Sequence, residues 1–422
     1  MLMAIAALPL LIWAYLLVGR GGFWQPQPQL ETAAPSLERP SEVSAPTGSA
    51  PNSAAPKVQV VIPARNEADA LPQSLPSLLQ QDYSGEVALL LVDDHSTDGT
   101  AALAQRLAQQ AASQGGSATA LEILPAAPLP PGWTGKLWAL QQGTDHVLTN
   151  QSDPPDYLLL TDADICHSPR SIAQLVALAE ARDLQMASVM VRLRCQSLWE
   201  QLLIPAFVFF FQKLYPFRWS NDPQRWTAAA AGGCVLLRPE ALARIGGMAA
   251  IRDALIDDCA LAAAIKRTGR DKPPFYPTWL GLSDRICSLR PYPTLKSIWD
   301  MVARTAYTQL HYSPLLLLGS VLGMGLVYLA SPLSLGVGLL TGHLGIALLG
   351  LLGWLMMSAA YWPIVRFYRC PPGYGAALPV IALLYTLMTL DSARRHWQGA
   401  GGAWKGRTYA AKPEADGATA KS

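Results

Sequence analysis

The chain has 422 residues, of which 51% are hydrophobic and 15% charged. This balance excludes an ordinary soluble protein, whereas the formal net charge of +2 at pH 7 favours no particular class of partner. The six cysteines show no Cys-x-x-Cys spacing. That pattern argues against a disulfide framework and a zinc site, and it predicts reduced thiols on the cytosolic side.

The N-terminal residues are almost uncharged from Leu2 to Val18. No basic segment precedes this run and no small-residue cleavage site follows it. We therefore predict an uncleaved membrane anchor over residues 1–19 rather than a secretory signal. Residues 20–56 are rich in Pro, Ala, Ser and Glu without a hydrophobic period, which predicts a flexible linker.

Strand-like and helical patterns alternate from residue 57 onward. Strands are predicted at 58–62, 87–92, 121–124 and 157–161, and helices at 71–79, 101–111 and 137–147. This alternation predicts a parallel sheet with helices on both faces. Farther along, the aromatic stretch 198–217 fits three alternatives: a membrane-surface helix, part of an apolar acceptor site, or a buried core helix.

Two carboxylates follow the predicted strand 157–161. Asp162 and Asp164 are one residue apart, and an extended chain places both side chains on one face, where they can share a divalent cation. The alternative is a solvated Asp-Ala-Asp turn. The strand ending in Asp93 and Asp94 repeats this layout, and ligands bind beyond the carboxyl ends of parallel strands. The two acidic ends are therefore predicted to face one crevice.

A third acidic pair, Asp257 and Asp258, opens a helical pattern. Acids at a helix N-terminus can simply complement the helix dipole. The functional alternative is a general base for an acceptor hydroxyl, and Asp258 suits this role better because Asp257 can cap the helix.

Apolar segments return at 315–360 and 376–390. A span needs ~20 residues, so the first stretch accommodates two spans, broken near Ser331-Pro332 or at Gly342. Three spans would place the basic flanks at Arg366 and Arg394 on opposite sides of the membrane. Because both flanks are typical of a cytoplasmic face, one segment is predicted to be re-entrant or interfacial.

Four motifs in this order and spacing resemble those of the family 2 inverting glycosyltransferases. They are Val61-Ile62-Pro63-Ala64-Arg65-Asn66-Glu67, Val92-Asp93-Asp94-His95-Ser96-Thr97-Asp98-Gly99-Thr100, Thr161-Asp162-Ala163-Asp164 and Asp257-Asp258. The resemblance covers residues 57–290. It implies a Rossmann-like GT-A fold, a nucleotide-sugar donor, a DxD motif that binds Mg²⁺ or Mn²⁺, and an aspartate base.

The resemblance also implies roles for individual residues. Asp258 is the base, Asp164 the metal ligand, and the donor-binding residues are Pro63, Ala64, Glu67, Asp94, Asp162 and, in a Lys-x-x-Ala-Leu element, Lys136. Gly232, Gly233 and Asp257 are assigned to the acceptor side. Processive synthases carry a Gln-x-x-Arg-Trp element after the base, but here Gln224-Arg225-Trp226 precedes Asp258. Arg304 is predicted to take that arginine's place, which weakens the case for polymer synthesis.

Narrower similarities point to the hopanoid-biosynthesis-associated glycosyltransferases of bacterial inner membranes. They lie in Gly132 to Leu140, Ala228 to Cys234, and Met301 to Leu310 with Tyr312-Ser313-Pro314. The C-terminal Trp404-Lys405-Gly406-Arg407-Thr408-Tyr409 resembles an element of some membrane members of family 2, and it fits an interfacial anchor or an active-site element equally.

The sequence thus predicts an α/β GT-A catalytic domain at 57–290 joined to α-helical transmembrane segments. A juxtamembrane helix is expected at 291–313, two or three spans at 314–392 and a tail at 393–422. The predicted enzyme is a hexosyltransferase of the multi-pass inner membrane with a cytoplasmic catalytic domain. It is expected to move one sugar, UDP-linked, to a hopanoid or other membrane lipid, with no nucleic-acid partner. The alternatives are a processive polysaccharide synthase and a non-catalytic nucleotide-sugar-binding protein.

Overall fold

The computed structural model describes residues 2–35, 55–113, 119–150, 153–268, 276–399, 403–404 and 407–408. Its strands are β1 (Val58–Ala64), β2 (Val87–Asp93), β3 (Leu121–Pro125), β4 (Tyr157–Thr161), β5 (Ile165–Cys166), β6 (Met186–Arg192), β7 (Cys234–Leu237), β8 (Thr278–Ser288), β9 (Ala403–Trp404) and β10 (Arg407–Thr408). Its α-helices are α1 (Leu2–Gly19), α2 (Leu30–Ala33), α3 (Leu71–Leu79), α4 (Thr100–Ser113), α5 (Gly135–Asn150), α6 (Ser171–Ala181), α7 (Leu198–Leu214), α8 (Phe217–Ser220), α9 (Pro239–Ile245), α10 (Asp257–Thr268), α11 (Leu295–Ala303), α12 (Pro314–Met324), α13 (Ala330–Leu340), α14 (Leu344–Phe367) and α15 (Leu378–Trp397).

The first eight strands form one sheet in the order β3-β2-β1-β4-β7-β6-β8-β5. The strands β3, β2, β1 and β4 are parallel, as the sequence predicts. The prediction of a wholly parallel sheet is wrong beyond β4, because β7 runs antiparallel to both β4 and β6. The α/β class and the Rossmann-like arrangement of β1 to β4 are confirmed.

Continuous apolar runs account for the centre of the sheet. Every residue of β1 and β4 is buried, which is expected of strands covered by helices on both faces. Helix α5 covers one face, and Gly143 brings it close. A Cβ at this position would lie only 2.6 Å from Val61 and 2.9 Å from Val92, so a larger residue would push the helix off the sheet.

The direction of β7 brings a glycine loop to the functional end of the sheet. Because β7 is antiparallel to β4, its first residues lie beside the last residues of β4. The hydroxyl of Thr161 and the backbone N–H of Asp162 both donate to the carbonyl of Gly233. Gly232 and Gly233 are therefore held next to the Asp162–Asp164 segment.

Three helices are long and apolar enough to cross a membrane: Pro314–Leu340, Leu344–Phe367 and Pro372–Trp397. The break between the first two helices falls at Gly342, which is one of the two predicted positions and has a φ of +69°. Pro332 instead lies within α13, and a π-helical turn at Gly325–Leu329 precedes it. Such turns accompany a proline that removes a helical hydrogen bond.

Helix α1 belongs to this helical part. Trp13 is fully buried, and its indole N–H donates to the carbonyl of Val327 at 2.8 Å within the π-helical turn. At 1.5 Å per residue, 18 residues give a helix about 27 Å long.

Residues after α1 contact the sheet instead of forming a free linker. Leu30 of α2 is fully buried, and Gln29 pairs with Leu282 of β8. The prediction of a flexible linker over residues 20–56 is therefore wrong for its first part, residues 20–35. Residues 36–54 lie outside the described residues, as do Lys405, Gly406 and Tyr409 of the C-terminal element. Trp404 and Arg407 of that element pair in the β9–β10 ribbon.

Helix α7 lies between the sheet and the apolar helices. Phe209 packs on Tyr361 of α14 with ring centroids 5.2 Å apart, and Phe210 packs on Tyr385 of α15 at 4.9 Å. These rings share one hydrophobic cluster with Met190 of β6. The buried-core alternative for this aromatic stretch is thus the right one for most of the helix.

Both ends of the segment 368–397 lie beside the sheet domain. At its start, the thiol sulfurs of Cys370 and Cys195 are 3.5 Å apart. At its end, Arg395 pairs with Asp300 of α11 at 2.8 Å, and α11 itself contacts α7. The basic flanks at 366 and 394 therefore lie near the same sheet domain. That one apolar segment does not cross the membrane stays a prediction.

Candidate functional site

A cavity of about 290 Å³ opens at the carboxyl ends of β1 and β4. Among the segments that line it are the acidic segment after β4, the glycine loop before β7, the start of α10 and the end of β8. Its charged lining residues are Glu67, Lys136, Asp162, Asp164, Asp257, Asp258, Arg290 and Arg304. Five carboxylates thus face three cationic side chains, an excess of two negative charges.

Asp162 is held by an ion pair from another part of the chain. Its carboxylate lies 2.7 Å from the ammonium of Lys136, which is also 3.7 Å from Asp257. Burial raises the pKa of Asp162, the Lys136 ammonium opposes this rise, and nearby Asp164 adds to it. Burial lowers the pKa of Lys136, but the attraction of Asp162 and Asp257 outweighs it and the net shift is upward. Lys136 therefore stays charged in the cavity.

Asp258 is oriented by the backbone. One carboxylate oxygen accepts from the N–H of Gly232 at 2.9 Å, and the other from the N–H of Cys259 at 2.7 Å. Burial and the adjacent Asp257 raise its pKa to about 6, against the opposing effect of Lys136. A carboxylate that is fixed in place and has a pKa near neutrality has the properties of a general base.

Asp164 faces an arginine that the sequence analysis did not assign to the site. The guanidinium of Arg290 lies 3.3 Å from the Asp164 carboxylate and 3.2 Å from that of Glu67. The Ser288 hydroxyl donates to the same oxygen of Asp164 at 3.0 Å. No sequence motif marks Arg290 as a residue of this site. Arg290 follows strand β8, and this strand was not predicted from the sequence.

The second acidic strand end is built differently. Asp94 is 2% exposed and is held by Arg65 and His95. Asp98 accepts the backbone N–H groups of Ala68 and Thr100, both at 3.0 Å. These bonds join the loop after β2 to the loop after β1. Neither acid lines the cavity.

One wall of the cavity is apolar. Phe207 and Phe211 of α7 face it, together with Met190, Val191 and Leu193 from β6 and the residue that follows it. The opposite face of α7 packs on α14 and α15. The acceptor-site alternative for residues 198–217 therefore fits Phe207 and Phe211, while the rest of the helix is core.

The cavity brings together ten of the twelve predicted site residues. They are Pro63, Glu67, Lys136, Asp162, Asp164, Gly232, Gly233, Asp257, Asp258 and Arg304. Ala64 is fully buried within β1, and Asp94 is buried directly after β2. Neither residue lines the cavity.

The donor set suits a hard divalent cation. Carboxylate oxygens are the ligands that Mg²⁺ and Mn²⁺ prefer, and the lining carries two excess negative charges. Among the described residues no cluster of three or more His, Cys, Asp or Glu side chains has the arrangement of a preformed metal site. A cation here would need further oxygen ligands from a bound substrate.

Comparison with protein families decides the class of this domain. Residues 59–246 match the model described as Glycosyl transferase family 2. This part of the chain is therefore similar to a family 2 glycosyltransferase domain. The predicted enzyme class is confirmed by this match, which includes the strand ends of β1, β2 and β4. A comparison with curated protein sequences found no match.

A solved structure shows a similar fold over most of the chain. The mannosyltransferase PcManGT from Pyrobaculum calidifontis, in complex with GDP-Man and Mn²⁺, is 18% identical, with a TM-score of 0.52 over 93% of this chain and 99% of that chain. The likeness therefore extends past the family 2 domain into the helical part. Glucosyl-3-phosphoglycerate synthase from Mycobacterium tuberculosis, with Mn²⁺, UDP and glucosyl-3-phosphoglycerate, is 17% identical over 61% of this chain and 79% of that chain, with a TM-score of 0.38.

Proposed function

We propose that the protein transfers one sugar from a UDP-linked donor to a hydroxyl or phosphate of a membrane lipid and inverts the anomeric centre. The observation that carries this proposal is the composition of a single cavity. Asp258 lines the same cavity as Asp162 and Asp164, and apolar side chains of α7 form one wall of it. A lipid in hopanoid biosynthesis is the acceptor that the sequence similarities favour.

The donor diphosphate would lie at the Asp162–Asp164 end. Asp164, with Asp162 nearby, would hold Mg²⁺ or Mn²⁺, which supplies charge neutralisation for the leaving diphosphate. Lys136 remains charged beside Asp162 and is placed to attract the same phosphates. Glu67 and Pro63 line the adjoining part of the cavity, where the nucleoside is expected.

Asp258 would act on the acceptor. Its carboxylate accepts the proton of the acceptor hydroxyl as that oxygen forms a bond to the anomeric carbon of the sugar. The bond between this carbon and the diphosphate breaks in the same step, and the nucleoside diphosphate leaves with the bonding electrons. A single displacement inverts the configuration. The backbone N–H groups of Gly232 and Cys259 keep the base in place.

The apolar wall and the helices support a lipid acceptor. Phe207 and Phe211 give the cavity a surface that matches an isoprenoid or acyl chain. Large side chains such as Leu315, Leu340 and Leu344 are about four-fifths or more exposed on the apolar helices, which is expected where lipid surrounds them. Because the basic flanks share the side of the catalytic domain, that side is the cytoplasmic one under the positive-inside rule.

Turnover by purified protein in lipid vesicles tests the proposal. The protein is incubated with Mn²⁺, membrane lipid extract and a panel of UDP- and GDP-sugars. Release of nucleoside diphosphate and a lipid product heavier by one sugar are expected for one donor. The Asp258→Asn variant should turn over at least about 100-fold more slowly than the wild type and remain folded. Near-normal turnover by that variant would remove Asp258 as the base.

Product analysis separates the alternatives. A processive synthase would make a polymer, which mass spectrometry distinguishes from a singly glycosylated lipid. A non-catalytic protein would bind UDP with Mn²⁺ but release no diphosphate from any donor in the panel. Lipid mass spectrometry of cells with and without the gene then names the acceptor, because the unglycosylated lipid accumulates in the deleted strain.

A further inference from the structure

Arg290 occupies a position that its family 2 motifs do not explain. Its guanidinium bridges Asp164 and Glu67, which come from segments 97 residues apart in the chain, after β4 and after β1. The side chains of these two acids are only 8% and 11% exposed, whereas that of Arg290 is 36% exposed. The arginine therefore covers two enclosed carboxylates from the solvent side.

The two ion pairs of Arg290 lie between two cavities. A second, polar cavity of about 760 Å³ lies next to the catalytic cavity, and both are lined by Glu67, Asp164, Ser288 and Arg290. Space is thus present on both sides of the guanidinium, and Arg290 can leave Asp164 without a rearrangement of the sheet. Its backbone stays fixed at the end of β8, where the Arg290 N–H donates to the Ser288 hydroxyl.

We propose that Arg290 is a positioning residue that holds Asp164 and Glu67 until the donor and its cation bind, and then turns its guanidinium to the donor diphosphate. This inference rests on the proposed function. A cation and a guanidinium compete for the Asp164 carboxylate, because two positive groups at contact distance from one carboxylate repel each other. Once displaced, the planar guanidinium suits two adjacent phosphate oxygens better than any other side chain.

If Arg290 moves from Asp164 to the diphosphate, removal of its side chain should have opposite effects on the binding of the cation and of the nucleotide. Without Arg290 the Asp164 carboxylate loses its positively charged partner, so a cation alone should bind more tightly. The diphosphate loses a partner, so the nucleotide should bind more weakly. Simple damage to the site would weaken both, and therefore the opposite signs identify the exchange.

The test uses full-length protein in lipid nanodiscs. Free Mn²⁺ is titrated by its electron paramagnetic resonance signal without nucleotide, and UDP is titrated by calorimetry at saturating Mn²⁺. Arg290→Gln should bind Mn²⁺ about five-fold more tightly and UDP about ten-fold more weakly than the wild type. Arg285→Gln is the matched control, because Arg285 is an exposed arginine on the same strand. It should leave both affinities within about two-fold of the wild type.

Arg290→Lys keeps the charge and loses the planar fork. Its Mn²⁺ affinity should stay near that of the wild type while its UDP affinity drops, and this variant decides the question if Arg290→Gln does not fold. An Arg290→Gln protein that binds Mn²⁺ equally or more weakly, or an Arg290→Lys protein with unchanged UDP affinity, overturns the exchange alone. A wild type that binds neither Mn²⁺ nor UDP overturns the proposed function and the exchange together.

Discussion

The two acidic strand ends look alike in the sequence but are held by different means. After β2, Asp94 pairs with Arg65 of the adjoining loop, and Asp98 accepts backbone N–H groups of Ala68 and Thr100 in the same two loops. After β4, Asp162 and Asp164 are held by the side chains of Lys136 and Arg290, which come from distant elements. The first end closes on the protein itself, and the second opens into a cavity.

This difference separates scaffold acids from exchangeable acids. A carboxylate that satisfies backbone N–H groups cannot leave them without an unpaired donor remaining. A carboxylate paired with a flexible cationic side chain can exchange that partner for a ligand of the same charge. The loop after β2 is therefore expected to govern stability, and the segment after β4 to govern turnover.

The largest effect is expected at Asp162. Asp162→Asn removes one negative charge from the donor end of the cavity and breaks the ion pair with Lys136. Turnover should fall by about 100-fold or more, because Asp162 holds the positive charge of Lys136, and of the proposed cation, beside the leaving diphosphate, and preorganised charge of this kind contributes on this scale. The melting temperature should stay within a few degrees of the wild type. A large loss of stability with retained turnover would reverse the division between the two strand ends.

The next effect is expected at Gly232. A Cβ at this position would lie 3.2 Å from the Lys136 ammonium and 3.3 Å from the Asp258 Cβ. Gly232→Ala should lower kcat by about ten-fold, because it shifts Asp258, the proposed base, whose placement matters at the scale of 1 Å. Gly373→Ala, with nothing within 4 Å of its added Cβ, is the control. Equal rates for both variants would show that the glycine loop does not position the base.

A smaller effect is expected in the pH profile. Asp258 must be ionised to accept a proton, and burial and Asp257 raise its pKa to about 6. The rate should therefore rise with pH through about 6 and level off above it. Asp257→Asn removes the neighbouring negative charge and should move the midpoint to lower pH. The measurement is kcat/KM from pH 4.5 to 8, and an unmoved midpoint would show that Asp257 does not set this pKa.

The smallest effect is expected at Asp98. Asp98→Ala leaves the N–H groups of Ala68 and Thr100 without their acceptor. It should lower the free energy of unfolding by about 1 kcal/mol, as loss of a helix cap does, while kcat stays near normal. Asp69→Ala, at an exposed acid of the same loop region, should change stability by less than about 0.5 kcal/mol. Thermal unfolding in detergent compares the two variants.

Sequence patterns captured the parts of the site that lie next to regular elements. Asp162 and Asp164 follow a continuous apolar strand, and Asp258 opens a helical pattern, so their places could be predicted. Arg290 could not be placed in this way. It follows β8, whose partner β6 lies 86 residues earlier at its closest, a separation that no local pattern reveals. The antiparallel direction of β7 was missed for the same reason.

The apolar helices show the same limit. Their length and composition indicate where helices lie, and Gly342 marks a break because its φ is positive. Composition cannot state which helix ends lie on the same side. That depends on contacts such as Cys195 with Cys370 and Asp300 with Arg395, which join distant segments. Mild oxidation that cross-links Cys195 to Cys370 in wild-type protein would agree with this docking.

The sequence by itself determined the α/β class, the acids at the ends of β2 and β4, and the apolar helices, because hydrophobic period and strand-end motifs are local properties. Only the tertiary structure decided which acids face the cavity and which cations hold them. Bonds within adjoining loops after β2 and ion pairs with distant elements after β4 cannot be distinguished from spacing. The partners of Asp162 and Asp164 arrive from α5 and β8, and their positions depend on how the whole sheet is assembled.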